Sequence, residues 1–143
     1  MRIFLFGPGS AFGLSGMTIF TFVNNEEKRM NQKSLGKTTT GINPAMSGLL
    51  CYLGGFITGI IFYIVEKDNK FVRFHAVQSI VVFGGLFVIN LALGIILPLM
   101  LSGLISTLIA LLSFVLWIVL MVKAHQGEEF KVPIAGEVAE KHA

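Results

Sequence analysis

One uncharged stretch constrains this chain more than any other feature. Between Arg73 and Lys123 lie 49 consecutive residues without Asp, Glu, Lys or Arg. Charged residues make up only 13% of the 143 residues, whereas soluble domains carry about 25%. This pattern excludes a water-soluble fold, a nucleic-acid-binding domain and a disordered tail, and it indicates an integral membrane protein whose partner is the lipid bilayer.

Three apolar segments are long enough to cross a membrane. A helix that crosses about 30 Å of hydrocarbon at about 1.5 Å per residue needs about 20 apolar residues. Pro98 interrupts the uncharged stretch because it cannot donate the helical hydrogen bond, and we expect Ser102 and Gly103 to follow it in a loop. The fold class predicted is therefore an all-α, polytopic helical membrane protein with three transmembrane helices at about residues 46–65, 76–97 and 104–122.

The N-terminal segment, residues 1–36, is predicted to stand apart from a three-span membrane domain, residues 37–143. Residues 3–25 are uncharged but interrupted by Gly, Ser and Thr. Two alternatives follow: this segment forms a fourth span, or translation begins at Met30 and the preceding stretch is an extension.

Orientation follows from Lys and Arg near the ends of the spans, since cytoplasmic loops carry an excess of both. With three crossings, six basic residues fall on the side of the first loop and the C-terminus: Lys67, Lys70, Arg73, Lys123, Lys131 and Lys141. Four fall on the other side: Lys28, Arg29, Lys33 and Lys37. The sequence therefore predicts a protein of the cell membrane with a cytoplasmic C-terminus.

Residues that would support catalysis are sparse. All eight acidic residues lie outside the three predicted spans, so no intramembrane carboxylate is available as a proton relay. The three histidines are widely separated, and the single cysteine, Cys51, lies in an apolar run. We expect no enzyme activity, no catalytic residues, no cofactor and no metal site.

A polar stripe is predicted on the second span. His75, Gln78, Ser79 and Asn90 fall within about a third of the helix circumference at about 100° per residue. Such a stripe should face protein or water rather than lipid. It either binds a partner or solute, or it bonds to a neighbouring helix within the chain.

A face of small residues is predicted on the first span. Ser47, Cys51, Gly55 and Gly59 recur every fourth position, and Gly55 to Gly59 is a Gly-x-x-x-Gly pattern. Small residues let two helix backbones approach closely in a membrane. This face serves packing within one chain, or it docks a second copy or another membrane protein.

The loop between the first two spans is short and charged, with Lys67, Asp68, Lys70 and Arg73. Its basic residues either hold the topology near lipid head groups or present a cytoplasmic docking edge.

This loop also gives the sequence a family resemblance. Residues 66–79 (EKDNKFVRFHAVQS) resemble the signature of small uncharacterised prokaryotic membrane proteins that are grouped with the Tic-twenty-like component of the chloroplast import machinery. Residues 37–41, 48–53 and 133–141 resemble the same family. The resemblance implies a membrane protein of unknown activity, with plastid relatives of four spans in a protein-conducting complex, and it implies no catalytic residues.

Two functions follow as hypotheses. The first is a non-enzymatic membrane subunit that oligomerises or associates with other membrane proteins, linked by the resemblance to translocation. The second is a homo-oligomeric permease for a small solute or ion, with His75, Gln78 and Asn90 along the path.

Overall fold

The computed structural model describes residues 12–143, which are helical apart from short connections and contain no strand. The chain divides into two compact units, residues 1–34 and 35–143. The first unit contains α1 (Phe12–Ser34). The fourth span predicted over residues 3–25 falls partly on residues 1–11, outside the described part, and stays a prediction.

The second unit contains six α-helices. α2 spans Pro44–Leu53, α3 Phe56–Val65, α4 Lys70–Ser79, α5 Gly85–Ile96, α6 Leu99–His125 and α7 Ala135–His142. A π-helical segment, Ile80–Gly84, joins α4 to α5, so that Lys70–Ile96 forms one rod of 27 residues.

Within residues 12–143, two helices are long and apolar enough to cross a membrane: Lys70–Ile96 and Leu99–His125, each of 27 residues. Lys70–Ile96 covers the segment predicted at 76–97 except for Leu97, and Leu99–His125 contains the segment predicted at 104–122. Both helices extend beyond the apolar residues into the charged ends. Pro98 separates them, as predicted. The prediction that Ser102 and Gly103 lie in a loop is wrong, because α6 begins directly after Pro98, where a proline costs no intrahelical hydrogen bond.

The prediction of one continuous helix over about residues 46–65 is also wrong. α2 ends at Leu53 and α3 begins at Phe56, each with ten residues. Gly55 between them has φ 64° and ψ −132°, a conformation that residues with a Cβ atom avoid. At about 1.5 Å per residue each helix is about 15 Å long, half the thickness of the hydrocarbon layer.

α2 and α3 instead form a helical hairpin against the first long rod. Along α2, Gly48 faces Phe71 and His75, while Tyr52 contacts Phe83 further along the rod. α3 runs back, since Phe56 contacts Phe87, and Arg73 lies over the ring of Tyr63.

The ends of this hairpin therefore meet at one end of the second unit. Asn69, just before α4, donates from Nδ2 to the carbonyls of Leu35 and Lys37 at 2.8 and 3.1 Å. The assignment of Lys37 to the side opposite the 66–70 loop is thus wrong, because the intervening segment turns back on itself.

Three small cores lie at this charged end of the unit. One joins α2 to α4 through Cys51, Phe71, Val72 and Ala76. A second joins α2 to α6 through Tyr52, Leu120 and Ala124. The third seats α7 on α4 through Phe74, Val77 and Ala139. The opposite end is built differently, since α5 has no buried residue.

Candidate functional site

A buried polar junction, formed by Tyr52, His75 and Gln78, joins four parts of the second unit. The Tyr52 hydroxyl lies 3.0 Å from His75 Nδ1 and accepts a hydrogen bond from Gln78 Nε2 at 3.2 Å. All three side chains are fully buried. The hydroxyl donates to Nδ1 or accepts from it, depending on the histidine tautomer. His75 Nε2 has no hydrogen-bond partner among the residues that the structure describes.

Gln78 also holds the C-terminal segment. Its Nε2 donates to the carbonyl of Phe130 at 2.8 Å, and its Oε1 accepts from the backbone N–H of Val132 at 3.4 Å. Trp117 Nε1 donates to the carbonyl of Tyr52 at 2.7 Å from the other side. The junction therefore fastens α2, α4, α6 and the C-terminal segment to one another.

The predicted polar stripe is divided among separate partners. His75 and Gln78 belong to the junction, whereas Ser79 donates to the carbonyl of Ala76 in its own helix at 3.1 Å. Asn90 lies further along the rod and accepts from the Ser106 hydroxyl of α6 at 2.6 Å. Except at Ser79, the geometry thus matches the alternative in which the stripe bonds to neighbouring helices of the same chain.

The predicted face of small residues is not a single helix face. Ser47 and Cys51 are buried on α2, Gly55 lies in the turn, and Gly59 is on α3. Gly59 packs so closely on α4 that a Cβ atom there would overlap Ser79 Oγ and lie 2.9 Å from the carbonyl of Ala76. The buried members of this set serve packing within the chain.

A buried carboxylate organises the charged end. Glu66 accepts from the backbone N–H and the hydroxyl of Thr39, at 2.9 and 2.7 Å, and from the N–H of Asn69 at 3.2 Å. Burial raises the pKa of Glu66, but the combined hydrogen bonds from Thr39, Asn69 and the backbone of Asp68 outweigh it and lower the pKa below its ordinary value. The carboxylate therefore stays ionised and fixes the segment before α2 to the turn before α4.

Some residues of the predicted signature loop are held by hydrogen bonds, and the side chains of others are exposed. Arg73 donates to the carbonyl of Glu66 at 3.2 Å and to that of His142 at 3.5 Å. The Thr39 hydroxyl lies 3.4 Å from Asp68 Oδ2 and from the N–H of Lys67, while the side chains of Lys67 and Lys70 are exposed. Arg73 thus ties the loop to the C-terminal helix.

The described side chains contain no group of three or more His, Cys, Asp or Glu placed to hold a metal ion. Cys51 lies beside the carbonyl of Val72, with Sγ at 3.7 Å, and it is buried in a packing role.

With this geometry established, the chain can be compared with known proteins. Residues 32–139 match the model of the magnetosome magnetite crystal formation protein family, MamF/MmsF. The chain belongs to this family. The matched residues take in the α2–α3 hairpin, both long helices and the polar junction, so these are features of the MamF/MmsF part of the chain.

Relatives from archaea are named only as membrane proteins. A UPF0132 membrane protein of Methanocaldococcus jannaschii is 53% identical over 76% of this chain and 96% of its own length. A second from the same organism is 41% identical over 71% of each chain. One from Archaeoglobus fulgidus is 42% identical over 67% of this chain and 91% of its own. No solved structure matches the chain.

Several residues of the site were missed by sequence reasoning. Tyr52 was not singled out because a tyrosine in an apolar run resembles an interfacial anchor. Thr39 and Glu66 were missed because their contact joins positions 27 apart. A useful signal was present in Glu66 itself, a carboxylate directly at the end of an apolar run, which needs several donors if it is buried.

Proposed function

We propose that this MamF/MmsF family member is a non-enzymatic, multi-pass membrane subunit that acts by assembling with membrane proteins, including copies of itself. The observation that supports this most is the contrast between the two ends of the second unit. One end holds all three cores, whereas the other consists of α5 and the first half of α6, with large apolar side chains such as Ile95 and Leu108 exposed.

The proposed topology has two crossings and one re-entrant hairpin. Lys70–Ile96 and Leu99–His125 cross the bilayer, and α2–α3 enters and leaves on the same side. All seven basic residues of the second unit then lie at one end: Lys37, Lys67, Lys70, Arg73, Lys123, Lys131 and Lys141. The connection at Pro98 has none. This distribution supports a cytoplasmic location for the charged end and the C-terminus.

The resemblance to the Tic-twenty-like import component suggests one setting for such a subunit, namely a protein-conducting complex. The names of the archaeal relatives support membrane residence without a particular chemistry. The permease alternative requires His75, Gln78 and Asn90 to share one path. However, His75 and Gln78 meet at the buried Tyr52 hydroxyl, whereas Asn90 bonds to Ser106 further along the rod.

Cross-linking of the full chain in native membranes, followed by mass measurement in a mild detergent, tests the proposal. We expect a complex larger than the 15.6 kDa chain, either of several copies or with another membrane protein in a fixed ratio. A species of one chain only, both after cross-linking and in several mild detergents, would contradict the proposal.

A further inference from the structure

The tip of the α2–α3 hairpin lies beside the middle of the Lys70–Ile96 rod. Tyr52 contacts Phe83, which is the central residue of the Lys70–Ile96 rod. At the tip, Leu53 is 54% exposed and Ile57 is 59% exposed. The tip therefore lies near the mid-depth of the proposed crossing, with one side open.

Several main-chain groups of this tip are bonded within the chain. The N–H of Gly54 donates to Thr58 Oγ1 at 3.1 Å, and the N–H of Gly55 donates to the carbonyl of Tyr52 at 2.9 Å. The carbonyls of Cys51 and Tyr52 are bonded to Thr58 Oγ1 and Trp117 Nε1. However, the first N–H groups of a helix have no partner inside it, and α3 begins after Gly55 without a side-chain cap. Irregular backbone at membrane depth is tolerated only where protein or a water-filled cavity covers it.

A groove on α5 continues directly from the tip. It is lined by Phe87, Asn90, Leu91, Gly94 and Ile95. Phe87 lies 5.6 Å from the ring of Phe56, centroid to centroid, so the groove lies beside the start of α3. The notch is this groove together with the neighbouring tip.

Asn90 is the polar group of the notch. Its Oδ1 accepts from Ser106, and its Nδ2 has no hydrogen-bond acceptor among the residues that the structure describes. The side chain is half-buried. An amide donor directed at hydrocarbon is unfavourable, and side-chain amides commonly bond across helices in membranes.

We infer that a second copy of this chain fills the notch, with the two α5 helices packed together and the Asn90 amides paired across a two-fold axis along the membrane normal. An amide carries both a donor and an acceptor, so it can pair with its own copy, as an isologous interface requires. Gly94, one turn further, has nothing within 4 Å of a Cβ position and allows close approach of the backbones.

One further observation favours a copy over a different protein. The basic residues at one end hold all copies in the same orientation, which places both Asn90 residues at one depth. The inference rests on the proposed function, since it names the partner of that assembly.

Disulfide trapping in native membranes tests the interface. In a Cys51→Ala background, Gly94→Cys should give a covalent dimer on mild oxidation. Leu108→Cys is the matched control, because it is 59% exposed and lies on α6 near the depth of the Asn90–Ser106 pair. We expect at least several-fold less dimer from Leu108→Cys.

Substitution of Asn90 tests the amide pair. Asn90→Leu should weaken self-association in detergent by about tenfold, since each lost interhelical bond contributes modestly, and Asn90→Gln should restore part of it. Ser106→Ala removes only the bond within the chain and should leave the dimer intact. A thermal melt of Asn90→Leu shows whether the variant is folded.

The outcomes separate the two proposals. Two results would overturn this interface and leave the membrane-subunit proposal intact. One is a dimer that cross-links through Leu108→Cys rather than through Gly94→Cys. The other is a complex that persists unchanged in a folded Asn90→Leu variant. A wild-type chain that forms no complex at all would overturn both.

Discussion

Glu66 shows how one carboxylate can join segments that are distant in sequence. Its oxygens accept from Thr39, 27 positions earlier, and from Asn69, three positions later. A buried charge is costly unless several donors surround it. Here the donors come from two loops that flank the α2–α3 hairpin, so the carboxylate closes the hairpin at its base.

The lowered pKa of Glu66 predicts a dependence of stability on pH. The stabilisation is fully present above the ordinary pKa of a glutamate, about 4.5, and is lost as pH falls through the lower folded-state pKa. Glu66→Gln should lower the thermal midpoint at pH 7, with a cost of about 1–3 kcal/mol. The difference from wild type should shrink below about pH 4.5.

Thermal melts in detergent between pH 7 and pH 3 measure this effect. Asp68→Asn provides the control, since this neighbouring carboxylate is exposed and should give a much smaller change at pH 7. A Glu66→Gln deficit that stays constant down to pH 3 would show that ionisation of Glu66 is not the source of its contribution.

At the scale of the element, the Gly54–Gly55 turn determines whether residues 44–65 cross the bilayer. Hydropathy alone predicts a single span, because the 20 residues from Met46 to Val65 contain no charge. Gly55 adopts a positive φ, which ends one helix and allows the next to return along α4. A pair of glycines in an apolar run therefore indicates a turn, whereas the spacing of Gly55 to Gly59 suggested one continuous helix face.

Gly55→Ala tests the turn. Nothing lies within 4 Å of a Cβ atom at this position, so the expected loss of about 1–3 kcal/mol comes from backbone strain alone. Gly103→Ala is the control, because its Cβ also meets nothing within 4 Å while its backbone is helical. The control should be neutral or slightly stabilising.

A thermal melt of both variants distinguishes a hairpin from a continuous helix over residues 44–65. A lower midpoint for Gly55→Ala than for Gly103→Ala supports the hairpin. If Gly55→Ala is the more stable of the two, residues 44–65 form a continuous helix and the turn is wrong.

The two long helices were predictable because their causes are local. The uncharged stretch from Arg73 to Lys123 and the proline at position 98 are visible in the sequence, and both helices follow from them. The hydrogen bond between Tyr52 and His75 could not be predicted, because it joins residues 23 apart and depends on the turn at Gly55. Once α2 runs parallel to α4, the two side chains meet.

At the scale of the whole molecule, the charges of the second unit are all at one end. With Lys37 placed beside the 66–70 loop, the count of basic residues in residues 35–143 becomes seven at that end and none at the Pro98 connection. Counted over the same residues, three crossings would give six basic residues against one, Lys37, so the proposed two-crossing topology removes the one exception to the positive-inside pattern.

Labelling with a membrane-impermeant maleimide tests the orientation. In a Cys51→Ala background, Met100→Cys should be labelled from outside intact cells, because Met100 is 91% exposed at the Pro98 connection. Lys67→Cys should be labelled only after the membrane is opened. The reverse pattern would place the C-terminus outside, and labelling of both from outside would contradict a two-crossing topology.

The hairpin ends also bear on how the second unit enters the membrane. In the proposed topology α2–α3 leaves the lipid on the side where it entered, so only Leu97 and Pro98, which join the two long helices, have to be carried to the far surface. Neither residue is charged, so the two long helices can insert into the bilayer together as one apolar helical hairpin. No hydrophilic domain between them has to be translocated.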